Sequence, residues 1–244
     1  MKITFLGSGH GVPEPNRNYS CALLEVGEKK YLMDIGFDPT HELIKRGLRP
    51  NDISAVFITH THGDHLDGLV GFADICSWFY KDADPLFCLP RMEETVDALN
   101  GWLKITCNGL RDSLHFAQVT EGVFYDDETI RVTAMLNGHT VQSFSYMIEA
   151  EGKQILFTGD MKGGDGPIAD YARFADHDGI DLVIAECAHF DAMLYLEPLR
   201  KHPPKQLVIN HYNWSFVEGC YHLKNCFSGE IPTVLATDSL EIRL

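Results

Sequence analysis

The chain has 244 residues, 45% of them apolar, which is enough to bury a sizeable core and fits one soluble globular domain spanning residues 1–244. Its 35 acidic against 20 basic side chains give a formal charge of −15, which repels phosphate backbones at long range, so nucleic acid is disfavoured and a small-molecule substrate favoured. Seven scattered cysteines without a CxxC pair, no signal-peptide core and no run of the roughly 18 apolar residues a membrane helix needs point to a cytoplasmic protein with reduced thiols and no membrane contact.

In chain order, a short apolar run at residues 2–6 reads as a strand that stops at Gly7-Ser8-Gly9, and further strands follow at 22–26 and 31–34. A helix at 39–46 precedes a strand at 55–59, a helix at 65–79, a strand at 86–89 and a helix at 91–103. Strands at 130–136, 143–148 and 155–158 come next, the last two joined by the hairpin-like Ala150-Glu151-Gly152-Lys153. The remainder alternates: a helix at 167–174, a strand at 182–185, a helix at 193–202, a strand at 207–210 and a helix at 216–226. Antiparallel pairs mixed with helix-linked strands describe a layered α/β domain, and two packed sheets covered by helices satisfy the pattern.

The segment that carries chemistry is Thr59-His60-Thr61-His62-Gly63-Asp64-His65, directly after the apolar run 55–58. Three imidazoles and a carboxylate leaving one strand-to-helix turn need hydrogen-bond partners or a metal ion, and the crowding favours a metal site over a solvated polar turn. Neutral imidazole nitrogen and carboxylate oxygen suit zinc, manganese or iron. Three more donors stand at apparent strand ends: His139 after 130–136, Asp160 after 155–158 and His211 after 207–210. Strand ends converge on one rim of a sheet, where a site can assemble from distant segments.

Asp34, the HxHxDH stretch, His139, Asp160 and His211, in this order and across almost the whole chain, resemble the metallo-β-lactamase superfamily. The resemblance implies a four-layer αββα sandwich, two mixed β-sheets flanked by helices, with the site at one edge of the sheets. It implies two divalent metal ions, zinc first, with His60, His62 and His139 on one, Asp64, His65 and His211 on the other, and Asp160 bridging. Asp34 then accepts a hydrogen bond from the outer nitrogen of a ligand histidine.

The opening residues 5–20 and the closing 236–242 look like ribonuclease Z and its phosphodiesterase relatives, and Ser145-Tyr146-Met147-Ile148-Glu149 resembles the strand of that branch after the third ligand motif. His189 occupies the place where phosphodiesterases of the branch carry a histidine near the metals, which makes it the general-acid candidate; Asp64 and His189 are the catalytic candidates. Two departures matter. Only 21 positions separate His139 from Asp160 (160 − 139), leaving no room for the long arm with which ribonuclease Z grips transfer RNA. The small cyclic-phosphate phosphodiesterases have that compact spacing but carry an extra cysteine-rich zinc site near the N-terminus, where this chain has Cys21 alone.

The function expected is hydrolysis of a small phosphodiester, cyclic ones included, through a metal-bridging hydroxide. The alternatives on the same scaffold are a carboxylic ester, thioester or lactone hydrolase and a non-catalytic metal-dependent binding or carrier protein. His62 stands where oxygen-reducing diiron relatives present a glutamate, which disfavours a redox role. Arg17 is read as an exposed loop arginine outside the site, His10, His41, His115, His177, His202 and His222 have no partner pattern, and residues 78–80 (Trp-Phe-Tyr) suit a core or a homodimer interface.

Overall fold

The structure, a computed structural model, describes residues 1–106, 109–162, 166–174 and 179–244. Its contacts fall into two compact units, one made of Met1–Gly7, Pro13–Val119 and Asp238–Arg243, the other of Ser8–Val12, Thr120–Thr237 and Leu244. Each unit is built on one seven-stranded sheet.

The first unit holds β1 (Lys2–Gly7), β2 (Cys21–Val26), β3 (Lys29–Met33), β4 (Ala55–Phe57), β5 (Leu86–Leu89) and β6 (His115–Gln118). Helices α1 (Thr40–Lys45), α2 (Gly63–Leu66), α3 (Leu69–Trp78) and α4 (Met92–Thr106) link the strands from β3 onward. The second unit holds β7 (Gly122–Asp126), β8 (Arg131–Leu136), β9 (Phe144–Ala150), β10 (Lys153–Phe157), β11 (Leu182–Cys187), β12 (Leu207–Tyr212) and β13 (Thr233–Leu235), with α5 (Gly166–Phe174), α6 (Leu196–Lys201) and α7 (Val217–Cys226). The last strand, β14 (Glu241–Arg243), returns to the first sheet beside β1.

Both sheets follow one plan. The orders are β14-β1-β2-β3-β4-β5-β6 and β13-β12-β11-β10-β9-β8-β7. Four strands pair antiparallel, β14 to β3 and β7 to β10, and three parallel strands continue from β3 and from β10. Parallel neighbours need a crossover, and each of those connections is a helical segment. The ends of β3, β4, β10, β11 and β12 are therefore C-terminal ends of parallel strands, the edge at which open α/β sheets place their ligands.

Alternate strand residues meet the helices. In the first unit Leu23, Leu32, Val56, Phe87 and Leu89 form a buried cluster with Leu43 of α1, Phe72, Ala73 and Cys76 of α3, and Leu99 and Leu103 of α4. In the second, Met147, Leu156, Val183, Ala185, Leu207 and Ile209 pack with Tyr171 and Phe174 of α5, Leu199 of α6, and Cys220 and Leu223 of α7. The central strands are buried on both faces, which is why they read as continuous apolar runs.

All ten expected strands are present, and two expected helices are divided. The helix over 65–79 begins earlier and breaks between α2 and α3, because Gly68 N donates to Ile35 O at 2.8 Å and a Cβ there would stand 2.1 Å from the Phe37 backbone. The helix over 193–202 starts as a 3-10 turn, Ala192–Tyr195, capped by Asp191 Oδ1 accepting from Met193 N at 2.9 Å. No helix among the described residues is long and apolar enough to cross a membrane.

Cys21, Cys76, Cys88, Cys187 and Cys220 are buried free thiols, and Cys226 is half-buried. Burial pushes the Cys76 and Cys88 thiols up to about 12 and those of Cys21 and Cys187 well above the ordinary range. Thiol labelling of the folded protein at pH 8 is therefore expected to modify Cys226 first among these six, with the other five reacting only after denaturation. Rapid labelling of Cys76 or Cys88 in the native state, read by peptide mass, would contradict that burial.

Candidate metal centre

In the first unit the donors come from the ends of β3 and β4. Beyond β4 the chain passes through His60 to His62, whose backbone is extended, and enters α2, which holds Asp64 and His65. The His60 ring centroid lies 4.6 Å from that of His62 and 4.2 Å from that of His65. His60 and His65 are buried, Asp64 is 13% exposed at its side chain, and His62 is exposed.

Asp34, directly after β3, organises this crowd from beneath. It is fully buried, with backbone φ 58, a left-handed conformation that Asp tolerates better than most residues. Its Oδ1 accepts from Thr59 N at 2.8 Å and Thr59 Oγ1 at 3.0 Å, and its Oδ2 accepts from His65 Nδ1 at 2.7 Å. A carboxylate accepts only, so His65 must carry its proton on Nδ1, which leaves the Nε2 lone pair free of a proton. The backbone is drawn in as well: Ser20 N donates to Asp64 O, and Gly36 lies so close that a Cβ there would stand 1.9 Å from that same carbonyl oxygen.

The second unit gathers Asp160, His139, His189 and His211 around one carboxylate. Asp160 follows β10 and is 2% exposed. Its Oδ1 stands 3.2 Å from His211 Nε2, and its Oδ2 stands 3.7 Å from both His139 Nε2 and His189 Nε2. His211 lies inside β12 at φ 48, where the register with β11 shifts, so the irregularity aims a strand residue out of the alternation. Its Nδ1 donates to Gly9 O at 2.9 Å, and its own N donates to Ser8 O at 3.2 Å. His211 is thereby held in the same tautomer as His65, with Nε2 presented.

A divalent cation fits this donor set. Two histidines are fixed as Nδ1 donors with Nε2 available, and each Asp160 oxygen faces a different imidazole nitrogen, the arrangement of a carboxylate that can serve two cations. Ligand atoms of His60 and His62, of Asp64 and His65, of His139 and Asp160, and of Asp160 and His211 each lie within 4.8 Å of one another.

His189, 34% exposed at its side chain, follows β11, with its ring centroid 4.7 Å from that of His139. Its Nδ1 lies 3.1 Å from Oε1 of the buried Glu186, a residue the sequence does not single out. Its only signal there is an acidic residue inside an apolar strand. The other histidines vary. His10 is buried with its ring 6.4 Å from His211, His115 is exposed and 3.3 Å from Asp84, and His177 lies outside the described residues. Arg17 is not the exposed loop side chain expected: only 7% exposed, it forks onto Glu14 at 2.6 and 2.7 Å, which satisfies its charge within the loop.

A family model described as Anti-Pycsar protein Apyc1 matches residues 1–214. Ribonuclease Z of Anoxybacillus flavithermus is 35% identical over 156 residues, 61% of this chain and 48% of that protein. The chain spans about half the length of the curated relatives it matches. Among solved structures, the metallo-β-lactamase fold protein YhfI of Bacillus subtilis aligns with TM-score 0.80 at 15% identity, covering 99% of both chains. The short form of human tRNase Z aligns with TM-score 0.74 at 23% identity, covering 100% of this chain and 99% of that one. The fold is thus the α/β sandwich of the metallo-β-lactamase type, and the branch read from the sequence is borne out.

One expectation is overturned. A small-molecule substrate with nucleic acid disfavoured does not stand, because the curated relatives matched by sequence are named ribonuclease Z and one of the solved structures sharing the fold is a tRNase Z. The charge argument failed because −15 is a sum over the whole chain. In physiological salt a charge is screened beyond about 8 Å, so a net charge summed over the chain says little about the potential at any one site.

Proposed function

Because the chain belongs to the Anti-Pycsar protein Apyc1 family, we propose that it is a metal-dependent phosphodiesterase of the ribonuclease Z-like branch of metallo-β-lactamase hydrolases. The observation that carries this reading is Asp160, a buried carboxylate with one oxygen toward His211 and the other toward His139 and His189. In the proposal His60, His62 and His139 would hold one divalent cation and Asp64, His65 and His211 a second, with Asp160 as a further ligand. Zinc is the first choice, and manganese or iron suits the same donors. When bound, such a pair makes a nucleophile of water near neutral pH and offsets negative charge gathering on phosphorus-bound oxygens.

The chain's own residues do the rest. Asp34 holds His65, and Gly9 O holds His211, each with Nε2 presented. His189 stands beside Asp160 with one face in solvent, where it can give a proton to the oxygen that leaves phosphorus. The reacting group is a phosphodiester. RNA is one carrier of it, and a small cyclic phosphodiester presents the same bond. Between His139 and Asp160 the chain is occupied by β9, β10 and their turn, so the arm expected of ribonuclease Z has no counterpart there. Six free cysteines among the described residues accord with a reducing, cytoplasmic setting.

The test measures metal content and turnover of the native protein on bis(p-nitrophenyl) phosphate, a short RNA, a cyclic phosphodiester and p-nitrophenyl acetate. About two cations per chain and hydrolysis of the phosphorus substrates are expected. Turnover restricted to the acetate would sink the reading in favour of a carboxylic ester hydrolase, and absence of metal under replete conditions would remove its basis.

A further inference from the structure

We infer that Glu186 is the positioning residue for His189, fixing which imidazole nitrogen meets the leaving group and so setting which phosphodiesters the protein can cleave. The inference rests on the phosphodiesterase reading and adds to it a residue with no metal-ligand role.

Glu186 sits in β11, a strand buried at every position, and is itself 2% exposed. A carboxylate there must be heavily hydrogen-bonded. Its Oε1 accepts from Met161 N at 2.9 Å and stands 3.1 Å from His189 Nδ1, and its Oε2 accepts from Ala188 N at 2.6 Å. The backbone is tied as firmly: Glu186 N donates to Thr158 Oγ1 at 3.1 Å, and Tyr195 Oη donates to Glu186 O at 3.2 Å. One side chain thus grips the residue after Asp160, the residue before His189 and His189 itself.

The direction of the His189 contact follows from chemistry. Glu186 has acceptors only, so Nδ1 is the donor, and Nε2, 3.7 Å from Asp160 Oδ2, is the nitrogen that faces the reacting group. In cleavage the P–O bond to the leaving group breaks with its electron pair moving to oxygen. That oxygen takes the proton from Nε2 of a His189 imidazolium, leaving the neutral ring with its proton on Nδ1, while the attacking water forms the new P–O bond and the proton it releases restores the imidazolium. The transfer matters most when the leaving oxygen is strongly basic. A p-nitrophenolate departs without help, whereas a phenolate or alkoxide does not.

Glutamine is the informative replacement because it keeps the shape but turns one acceptor into a donor, so it cannot serve Met161 N, Ala188 N and His189 Nδ1 together. The experiment compares native protein, Glu186→Gln, His189→Ala and the double variant carrying both on aryl phosphodiesters whose leaving phenols run from p-nitrophenol to phenol. It also measures metal content, thermal unfolding and the ¹⁵N shifts of His189 in the metal-loaded protein. Glu186→Gln is expected to lose about tenfold more activity on the phenyl diester than on the p-nitrophenyl diester, with native metal content. His189→Ala should show a larger loss in the same pattern, general acids contributing about a hundredfold or more, and the double variant should lose no more than His189→Ala. The Nδ1–H signature of His189 should be present in the native protein and lost or mixed in Glu186→Gln. Equal losses along the series, or an unchanged His189 signature, would overturn the role of Glu186. If the native protein cleaved no diester, the phosphodiesterase reading would fall, while the His189 spectrum would still decide whether Glu186 fixes the ring.

Discussion

Asp160→Ala is expected to release metal and to lower phosphodiester turnover by more than the hundredfold that removing an outer-shell partner can cost. The carboxylate lies within 4 Å of three imidazole Nε2 atoms, His211 on one oxygen and His139 and His189 on the other. Without it, the carboxylate that faces the Nε2 atoms of all three imidazoles is gone, and the Coulomb cost of holding the proposed cations close together rises steeply in a partly desolvated site. Asp160→Asn separates charge from shape. One oxygen survives as an acceptor while the amide presents hydrogens to the other imidazoles, so this variant should retain about one cation per chain. Metal analysis after gel filtration, beside turnover on bis(p-nitrophenyl) phosphate, reads both outcomes. Native metal content in Asp160→Ala would show that the carboxylate is not a ligand.

What was legible in the sequence follows from what each element buries. The ten strands read correctly are those with continuous or alternating apolar positions. The four others, β6, β7, β13 and β14, are the terminal strands of the two sheets. An edge strand has one neighbour: β6 and β7 have no fully buried position, β13 is half-buried throughout, and β14 buries Ile242 alone. Such segments lack the apolar signal on which strand reading depends. The donors of residues 60–65 were conspicuous because four stand in one turn, whereas His139, Asp160 and His211 gained weight only in combination and order. Their supports were invisible, since Gly9 O and Ser8 O act through the backbone, and the left-handed conformations at Asp34 and His211 are properties of the fold. Glu186 went unremarked because its partners at 161, 188 and 189 meet only once β10 and β11 are side by side.

Asp34 gives the second large effect, and two substitutions divide it into a metal part and a stability part. The carboxylate is fully buried and takes hydrogen bonds from Thr59 N, Thr59 Oγ1 and His65 Nδ1, with Ser20 Oγ 3.4 Å away. Asp34→Asn can keep the acceptor toward Thr59 but places an amide N–H against His65 Nδ1. The imidazole must then accept on Nδ1 and carry its proton on Nε2, the nitrogen proposed to meet the cation. Metal affinity should fall about 10- to 100-fold, the range seen when such outer partners are removed, with a smaller change in the unfolding free energy of the metal-free protein. Asp34→Ala instead strands several buried donors, each unsatisfied group costing about 1–3 kcal/mol. Urea unfolding of the metal-free protein should therefore show a markedly larger loss for alanine than for asparagine, while competition against a chromogenic chelator shows weakened metal binding in both. An asparagine variant that binds metal as tightly as the native protein would mean that the His65 tautomer is set by something other than Asp34.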